Sequence, residues 1–197
     1  MKVILASQSP RRQELLQRAV AEFVIDPSDY DESMSTGETP AHYAAHCALM
    51  KAKTVAQRRG GDEAVIGSDT IVVLDNEIYG KPADHADAAR MLRALSGRTH
   101  QVISGIAVVT PRGEWSDAVS TDVTFKALAE EDIAWYIGTG EPADKAGAYA
   151  IQGLAAKFIA GYAGDYDNIV GLPVAALRTM LAAAGVATRP AAAAQRN

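Results

Sequence analysis

Ten residues near the middle of the chain constrain its fold more than any other segment. The run 64–73 reads AVIGSDTIVV, and it is almost continuously apolar and rich in β-branched residues. Such a run is typical of a strand buried inside a sheet. Asp69 lies in the middle of it, and a buried carboxylate is costly unless it is paired or binds a metal. The run therefore marks a candidate functional acid, although a turn at a strand end would also explain Asp69.

Strands and helices alternate along the rest of the chain. Short apolar segments predict strands at 3–6, 23–25, 64–73, 78–79, 100–109 and 115–125. Capping and periodicity signals predict helices at 10–19, 40–59, 84–95, 130–137 and 174–184, and the first two of these begin with Ser-Pro and Thr-Pro. The glycine-rich stretch 138–171 is predicted to be irregular. This order indicates an α/β fold with an antiparallel component, in a single domain over residues 1–187 with a flexible tail at 188–197.

Composition limits the possible partners. The chain of 197 residues has 19 Lys and Arg against 24 Asp and Glu, a net charge of −5, which argues against a general nucleic-acid binder. No apolar run is long enough for a transmembrane helix, so no membrane partner is expected. The single cysteine, Cys47, cannot form an internal disulfide, which fits a reducing cytoplasm.

Common phosphate-binding and zinc motifs do not match. A near-match to the phosphate loop fails because Asp75 and Pro82 occupy positions that need Gly and Ser or Thr. His42 and His46 have the spacing of zinc ligands, but Tyr43 stands where the catalytic acid would be. We therefore interpret the two histidines as ordinary residues of a helix surface.

Four segments keep residue types that suit phosphate binding or catalysis. They are SQSPRR at 7–12, GSDT at 67–70, GKP at 80–82 and the irregular run GEPADKAGAYAIQG at 140–153. A helix start with two arginines favours anions, because its free N–H groups and the guanidinium groups all donate. Each segment also has a structural interpretation: a helix cap, a strand-end turn, a surface lysine or a plain loop.

Taken together and in this order, with LSGRTH at 95–100 and VGLP at 170–173, the segments resemble the Maf family of nucleoside triphosphate pyrophosphatases. The resemblance runs from about Leu5 to Leu181. It implies an elongated, mixed-sheet α/β fold related to the inosine triphosphate pyrophosphatases, with the substrate in a central cleft between two lobes. Two positions depart from the family pattern: Met50 replaces a common Glu, and Asp165 replaces a small polar residue.

The resemblance also implies a role for each matching residue. The implied catalytic residues are Asp69, Glu32 and Lys81, and the first two of these are also the implied metal ligands. The implied substrate-binding residues are Ser7, Arg11, Arg12, Lys51, Thr70, Lys145 and Gln152. Arg12, Thr70 and Gln152 match positions associated with the subgroup that prefers dTTP and UTP. Whether Asp69 accepts a proton or chiefly holds the metal stays open, because a metal-bound carboxylate is a weaker base.

The activity implied is cleavage between the α- and β-phosphates of dTTP and UTP, releasing pyrophosphate with the help of Mg²⁺ or Mn²⁺. Modified pyrimidine triphosphates are further possible substrates. The family is usually dimeric and cytoplasmic, so we expect a homodimer. Two alternatives remain open: a regulator that arrests cell division through a partner, and a nucleic-acid-binding protein, which the net charge disfavours.

Overall fold

The computed structural model describes residues 1–31 and 39–190. The strands are β1 (Val3–Leu5), β2 (Val24–Ile25), β3 (Ala64–Leu74), β4 (Glu77–Tyr79), β5 (Thr99–Thr110), β6 (Gly113–Phe125) and β7 (Ile159–Ala163). The α-helices are α1 (Pro10–Ala19), α2 (Pro40–Arg59), α3 (His85–Leu95), α4 (Glu130–Gly138), α5 (Tyr166–Val170) and α6 (Val174–Ala183). Three short 3-10 helices lie at Glu141–Asp144, Ala146–Ala148 and Leu154–Phe158.

All seven of these strands form one mixed sheet. Its order is β2-β1-β3-β5-β6-β7, and β4 pairs separately with the far end of β3. The β2-β1-β3 pairs are parallel, whereas β3-β5-β6-β7 and β3-β4 are antiparallel. The predicted mixed α/β class is therefore confirmed. Within the described ranges, no helix combines the length and the apolar character needed to cross a membrane.

One edge of β3 is left open between two partner strands. β1 pairs with residues 64–66 of β3, and β4 pairs with residues 72–74. No other strand in the described part of the chain pairs with residues 68–71 on that edge. We call this gap the notch. Thr70, inside it, is the one residue of β3 that is not buried.

Helix α2 packs very closely on the sheet because two glycines lie beneath it. A Cβ atom on Gly67 would stand 2.0 Å from the carbonyl oxygen of Ala48, and one on Gly105 would stand 1.9 Å from that of Ala44. Gly105 is the register partner of Asp69 on β5. The glycines therefore bring α2 within side-chain reach of the middle of β3.

Separate apolar clusters lie at the two ends of β3. Ile66 belongs to a cluster with α1 and α6, and Val72 belongs to another with α3 and α4. The polar residues of β3 lie between them, which agrees with the predicted arrangement of two lobes around a cleft. Ile151 packs against both clusters, so the segment 140–153 crosses from one to the other.

The predicted helix starts are confirmed. Ser9 Oγ accepts a hydrogen bond from the Arg12 amide, and Thr39 Oγ1 accepts one from the His42 amide. The region 138–171 is more regular than predicted, since it contains β7 and α5 as well as 3-10 turns. β7 reads IAGYA and is largely exposed, so it lacks the alternating pattern that identifies a strand, and among the described strands it pairs with β6. Inside the predicted tail, the Arg189 amide donates to the Ala19 carbonyl.

Candidate active site

A buried ion pair lies under helix α2. Lys51 Nζ, from α2, is 2.7 Å from Asp69 Oδ1, in the middle of β3, and both residues are at most 9% exposed. Asp69 Oδ2 has no hydrogen-bond partner within the described ranges. A buried pair of charges is costly to desolvate, so its presence here points to a functional role or to a structural constraint rather than to stability. Two residues to which the sequence analysis gave separate roles are thus in direct contact.

Arg12, in the first turn of α1, forms a second polar cluster. Its partners include Ser7, which precedes α1, and Gly171, which follows α5. Its Nε donates to the carbonyl oxygen of Gly171 at 3.0 Å, Nη1 to Ser7 Oγ at 3.3 Å and Nη2 to Thr70 Oγ1 at 3.1 Å. Ser68 Oγ donates to the same carbonyl at 3.0 Å. The structure thus brings together Ser7, Arg12 and Thr70, three of the predicted substrate-binding residues, through direct hydrogen bonds.

The two polar clusters lie on opposite faces of the sheet. Successive side chains of a strand point to alternate faces, so Asp69 faces α2 whereas Ser68 and Thr70 face Arg12 and Gly171. Thr70 is therefore next to Asp69 in sequence, but its hydroxyl lies on the opposite face of the sheet. Both faces meet at the open edge of β3, and a ligand lying in the notch would reach both clusters.

Two more of the predicted cations, Lys145 and Arg11, act on Asp144 in the segment 140–153. Lys145 forms an ion pair with Asp144. The pKa of the Asp144 carboxyl is lowered, mainly by its hydrogen bond from Lys145, and the charge of Arg11 acts in the same direction. Asp144 therefore pairs with a cation of this segment and also feels the charge of a cation from α1.

Tight backbone geometry shapes the middle of this segment. Gly147 and Ala148 both have positive φ angles, 64° and 60°. A Cβ atom on Gly147 would stand 2.8 Å from a methyl carbon of Val72 in β3. The Gly147 amide donates to the carbonyl of Gly80, which ties the segment to the GKP turn. Gly147 is thus required by both its conformation and its surroundings.

Two of the predicted residues within the described ranges are not joined to these clusters. Lys81 and Gln152 are exposed, and neither makes a side-chain hydrogen bond or ion pair to another described residue. Lys81 follows Gly80, and Gln152 follows Ile151, so both lie next to the backbone that surrounds the site. Glu32 lies outside the described residues, and its predicted role stays a prediction.

Asn168 is a residue that the sequence analysis missed. It is fully buried in α5: its Oδ1 accepts from the Ser104 amide, while Nδ2 donates to the Val102 carbonyl and to Thr121 Oγ1. Asp165 caps the same helix by accepting from the Asp167 amide, so the departure from the family pattern is accommodated as a helix cap. The available sequence signal for this buried residue was a single Asn directly before Ile169 and Val170.

Three further contacts hold the segment 140–153 in place. The Tyr149 hydroxyl is 2.7 Å from His100 Nε2, deep in the core. Glu141 accepts from the Tyr136 hydroxyl at 2.8 Å and from the Leu154 amide at 2.9 Å. His100, Glu141 and Tyr149 lie within the motifs that carry the family resemblance, but no pattern of spacing reveals their contacts.

The donor set around Asp69 suits a magnesium ion that is held mainly by its substrate. No group of three or more His, Cys, Asp or Glu side chains among residues 1–31 and 39–190 could hold a metal. Mg²⁺ in nucleotide sites commonly uses one or two carboxylates together with phosphate oxygens and water. Asp69 offers one carboxylate, and its Oδ2 is not used by Lys51, which fits that chemistry.

Comparison with solved structures gives a partial likeness. A nucleoside-triphosphatase, a dITP/XTP pyrophosphatase from Mycobacterium abscessus, aligns with a TM-score of 0.46 and 23% identity, over 65% of this chain and 76% of its own. A HAM1 protein from Coxiella burnetii aligns with a TM-score of 0.45 and 20% identity, over 64% and 73% of the two chains.

Sequence comparison gives a much stronger likeness. A Koribacter versatilis protein named dTTP/UTP pyrophosphatase is 49% identical over 94% of this chain and 96% of its own length. One of the same name from Geotalea uraniireducens is 52% identical over 90% and 94% of the two chains. The family model described as Maf-like protein matches residues 2–184. With nearly its whole length matched, the chain belongs to the Maf family.

Proposed function

We propose that this protein hydrolyses dTTP and UTP to the monophosphate and pyrophosphate. The observation that carries the proposal is the buried Lys51–Asp69 pair beside an open strand edge, with Arg12 on the opposite face of the sheet. That arrangement offers cations for a polyphosphate and a carboxylate for a water molecule. The names of relatives about half identical over nearly the whole chain support the choice of substrate.

The cations would bind the triphosphate. Arg12 already donates hydrogen bonds from its three guanidinium nitrogens to three neutral oxygens, so its guanidinium is held in a fixed orientation. Lys145 pairs with Asp144, and the charge of Arg11 also acts on that carboxylate, so a triphosphate would compete with Asp144 for Lys145 and would attract Arg11. Lys81 would add charge from the neighbouring turn. Fixed cations stabilise the charge that develops as a phosphate anhydride bond breaks.

Asp69 would hold and deprotonate the attacking water. Lys51 fixes one oxygen of the carboxylate, which leaves Oδ2 to accept a hydrogen bond from water. Asp69 and Glu32 would hold a Mg²⁺ or Mn²⁺ ion together with phosphate oxygens of the substrate. When bound, such an ion neutralises phosphate charge and lowers the pKa of water.

Base choice would involve Gln152 and Thr70. The Gln152 amide has both donors and an acceptor, and the edge of uracil or thymine presents an N–H between two carbonyls. Gln152 is exposed, so binding would have to bring the base to it. Modified pyrimidine triphosphates that keep this edge would also be substrates.

A panel of triphosphates tests the proposal. We expect pyrophosphate release from dTTP and UTP to exceed release from CTP by about tenfold in kcat/KM, the effect of one mismatched hydrogen bond. GTP and 7-methyl-GTP should be poorer still because of their size. Equal values for all five nucleotides would contradict pyrimidine selectivity, and a preference for 7-methyl-GTP would indicate a different substrate class.

Assembly and location belong to the same proposal. We expect a cytoplasmic homodimer, as the family resemblance implies, and light scattering on the purified protein measures the mass directly. A role in arresting cell division through a partner stays an alternative prediction. A protein that does not release pyrophosphate from dTTP in the presence of Mg²⁺ would favour it.

A further inference from the structure

The hydrogen bonds around Thr70 determine which way its hydroxyl proton points. Thr70 Oγ1 lies 2.9 Å from Ser104 Oγ, its register partner on β5, and 3.1 Å from Arg12 Nη2. It is also 3.5 Å from the carbonyl oxygen of Gly171. Since a hydroxyl has a single proton and two lone pairs, these contacts can be assigned one by one.

The assignment starts from Asn168, whose atoms allow only one arrangement. Its Nδ2 faces the Val102 carbonyl and its Oδ1 faces the Ser104 amide, so the amide group cannot be reversed. Its backbone carbonyl lies 2.9 Å from Ser104 Oγ. A carbonyl can only accept, so the Ser104 hydroxyl donates its proton to Asn168.

Ser104 can then only accept from Thr70, so the Thr70 proton is used in that bond. The competing acceptor, the Gly171 carbonyl, is farther away and already accepts from Arg12 Nε and Ser68 Oγ. One lone pair of Thr70 Oγ1 accepts from Arg12. The second has no donor among the described residues, and Thr70 is the one residue of β3 that is not fully buried, inside the notch.

The geometry points to Ser104 as a positioning residue that holds the Thr70 hydroxyl as a hydrogen-bond acceptor, so that the nucleotide group bound there must be a donor. Two groups of a dTTP or UTP molecule have that chemistry: the imide N–H of the base and a hydroxyl of the sugar. At the position of the imide N–H, cytosine has a ring nitrogen that can only accept. Because the Thr70 hydroxyl also accepts there, cytosine would be excluded. The inference rests on the proposed function, and it adds Ser104 as the buried residue that makes the Thr70 hydroxyl a hydrogen-bond acceptor.

Binding of nucleotides that cannot be hydrolysed tests this inference separately from turnover. The probes are α,β-imido analogues of dUTP, dCTP and 2′,3′-dideoxy-UTP, and calorimetry gives their Kd values for the full chain. In Ser104→Ala the Thr70 proton is released and can turn towards the ligand. We expect the preference for dUTP over dCTP to fall by about fivefold or more if the imide is the donor. If a sugar hydroxyl is the donor, the preference over the dideoxy analogue falls instead.

Ser68→Ala is the matched control. It also removes a fully buried hydroxyl that donates to a backbone carbonyl, but Ser68 does not contact Thr70 Oγ1. Both preferences should stay within about twofold of wild type in this variant. Unchanged preferences in Ser104→Ala, or equal changes in both serine variants, would overturn the inference.

A second pair of variants decides the question if Ser104→Ala does not fold. Thr70→Val removes the acceptor and should lower one of the two preferences, whereas Thr70→Ser keeps the hydroxyl and should preserve both. No effect of Thr70→Val would overturn the inference. A wild-type protein that binds the analogues with the expected preference but does not hydrolyse dTTP would contradict only the proposed function, whereas one that binds none of them would contradict both.

Discussion

Asp69 is the residue on which the proposed chemistry depends most. Its carboxylate is buried in an apolar strand and is compensated by Lys51 at 2.7 Å. Removing one member of a buried pair takes away the partner of the other charge, at a cost of about 3–5 kcal/mol. A substitution of Asp69 therefore tests catalysis and stability together, and the two effects have to be separated.

Asp69→Asn should lower kcat by about 100-fold or more, because an amide can neither accept the proton nor carry the charge. Nucleotide affinity should stay within about tenfold of wild type, since the cations are unchanged. Adding Lys51→Met removes the buried ammonium that has lost the Asp69 carboxylate, and should raise the melting temperature above that of the single variant without restoring turnover. More than a tenth of wild-type activity in Asp69→Asn would contradict the assigned role.

Arg12→Ala should lower kcat/KM for dTTP and UTP by similar factors, between about 10-fold and 1000-fold, because phosphate binding does not depend on the base. Arg18→Ala is the control, since Arg18 is an exposed arginine of the same helix that pairs with Asp167. Steady-state kinetics on both variants gives the comparison. Near-wild-type constants for Arg12→Ala would show that Arg12 is only a helix-start arginine.

At the scale of elements, the site depends on how closely α2 lies on β3 and β5. The two glycines under α2 leave no room for a methyl group, and this contact sets the distance from Lys51 to Asp69. The sequence predicted both helix and strand, and it identified GSDT as a functional segment. It could not show that Gly67 is needed for packing, because that depends on a helix about 20 residues earlier in the chain.

Gly67→Ala should therefore destabilise the protein by about 3 kcal/mol, the upper range for overpacking a core, and should lower kcat as α2 moves away from the sheet. Gly161→Ala is the control, since a Cβ atom on this strand glycine of β7 would meet nothing within 4 Å. Chemical unfolding of the two variants measures the difference. Equal stabilities would contradict the close packing of α2.

At the scale of the whole molecule, the buried His100 makes stability depend on pH. Burial lowers the pKa of His100 to about 4, and its Nε2 contacts the Tyr149 hydroxyl, whose pKa burial raises. The folded state therefore keeps the imidazole neutral, whereas the unfolded chain takes up a proton below about pH 6.5. The unfolded state then binds more protons, so stability is complete above about pH 6.5 and falls as the pH approaches 4.

The loss attributable to His100 should be about 3 kcal/mol between pH 7 and pH 4, from its shift in pKa. His100→Gln removes the titrating group, so its unfolding free energy should fall less over this range than that of wild type. Urea unfolding at several pH values measures both. Parallel pH profiles for the two proteins would contradict a neutral buried histidine.

The sequence predicted most of the fold because its signals are local. Proline after Ser9 and Thr39 fixes two helix starts, and the apolar run in β3 marks the central strand. The pairing of Asn168 with Ser104 joins residues 64 positions apart, and β7 is an exposed edge strand, so neither leaves a local pattern. Alternation along β3 could have shown that Asp69 and Thr70 face opposite sides of the sheet.

Identification of the products formed from dTTP in the presence of Mg²⁺ tests the central claim most directly. The purified chain is mixed with dTTP, and nucleotides and phosphates are separated by anion-exchange chromatography at several times. If hydrolysis occurs between the α- and β-phosphates, dTMP and pyrophosphate appear in equal amounts, and Asp69→Asn forms neither at a comparable rate. Formation of dTDP and orthophosphate, or no consumption of dTTP by the folded wild-type protein, would contradict the proposed function.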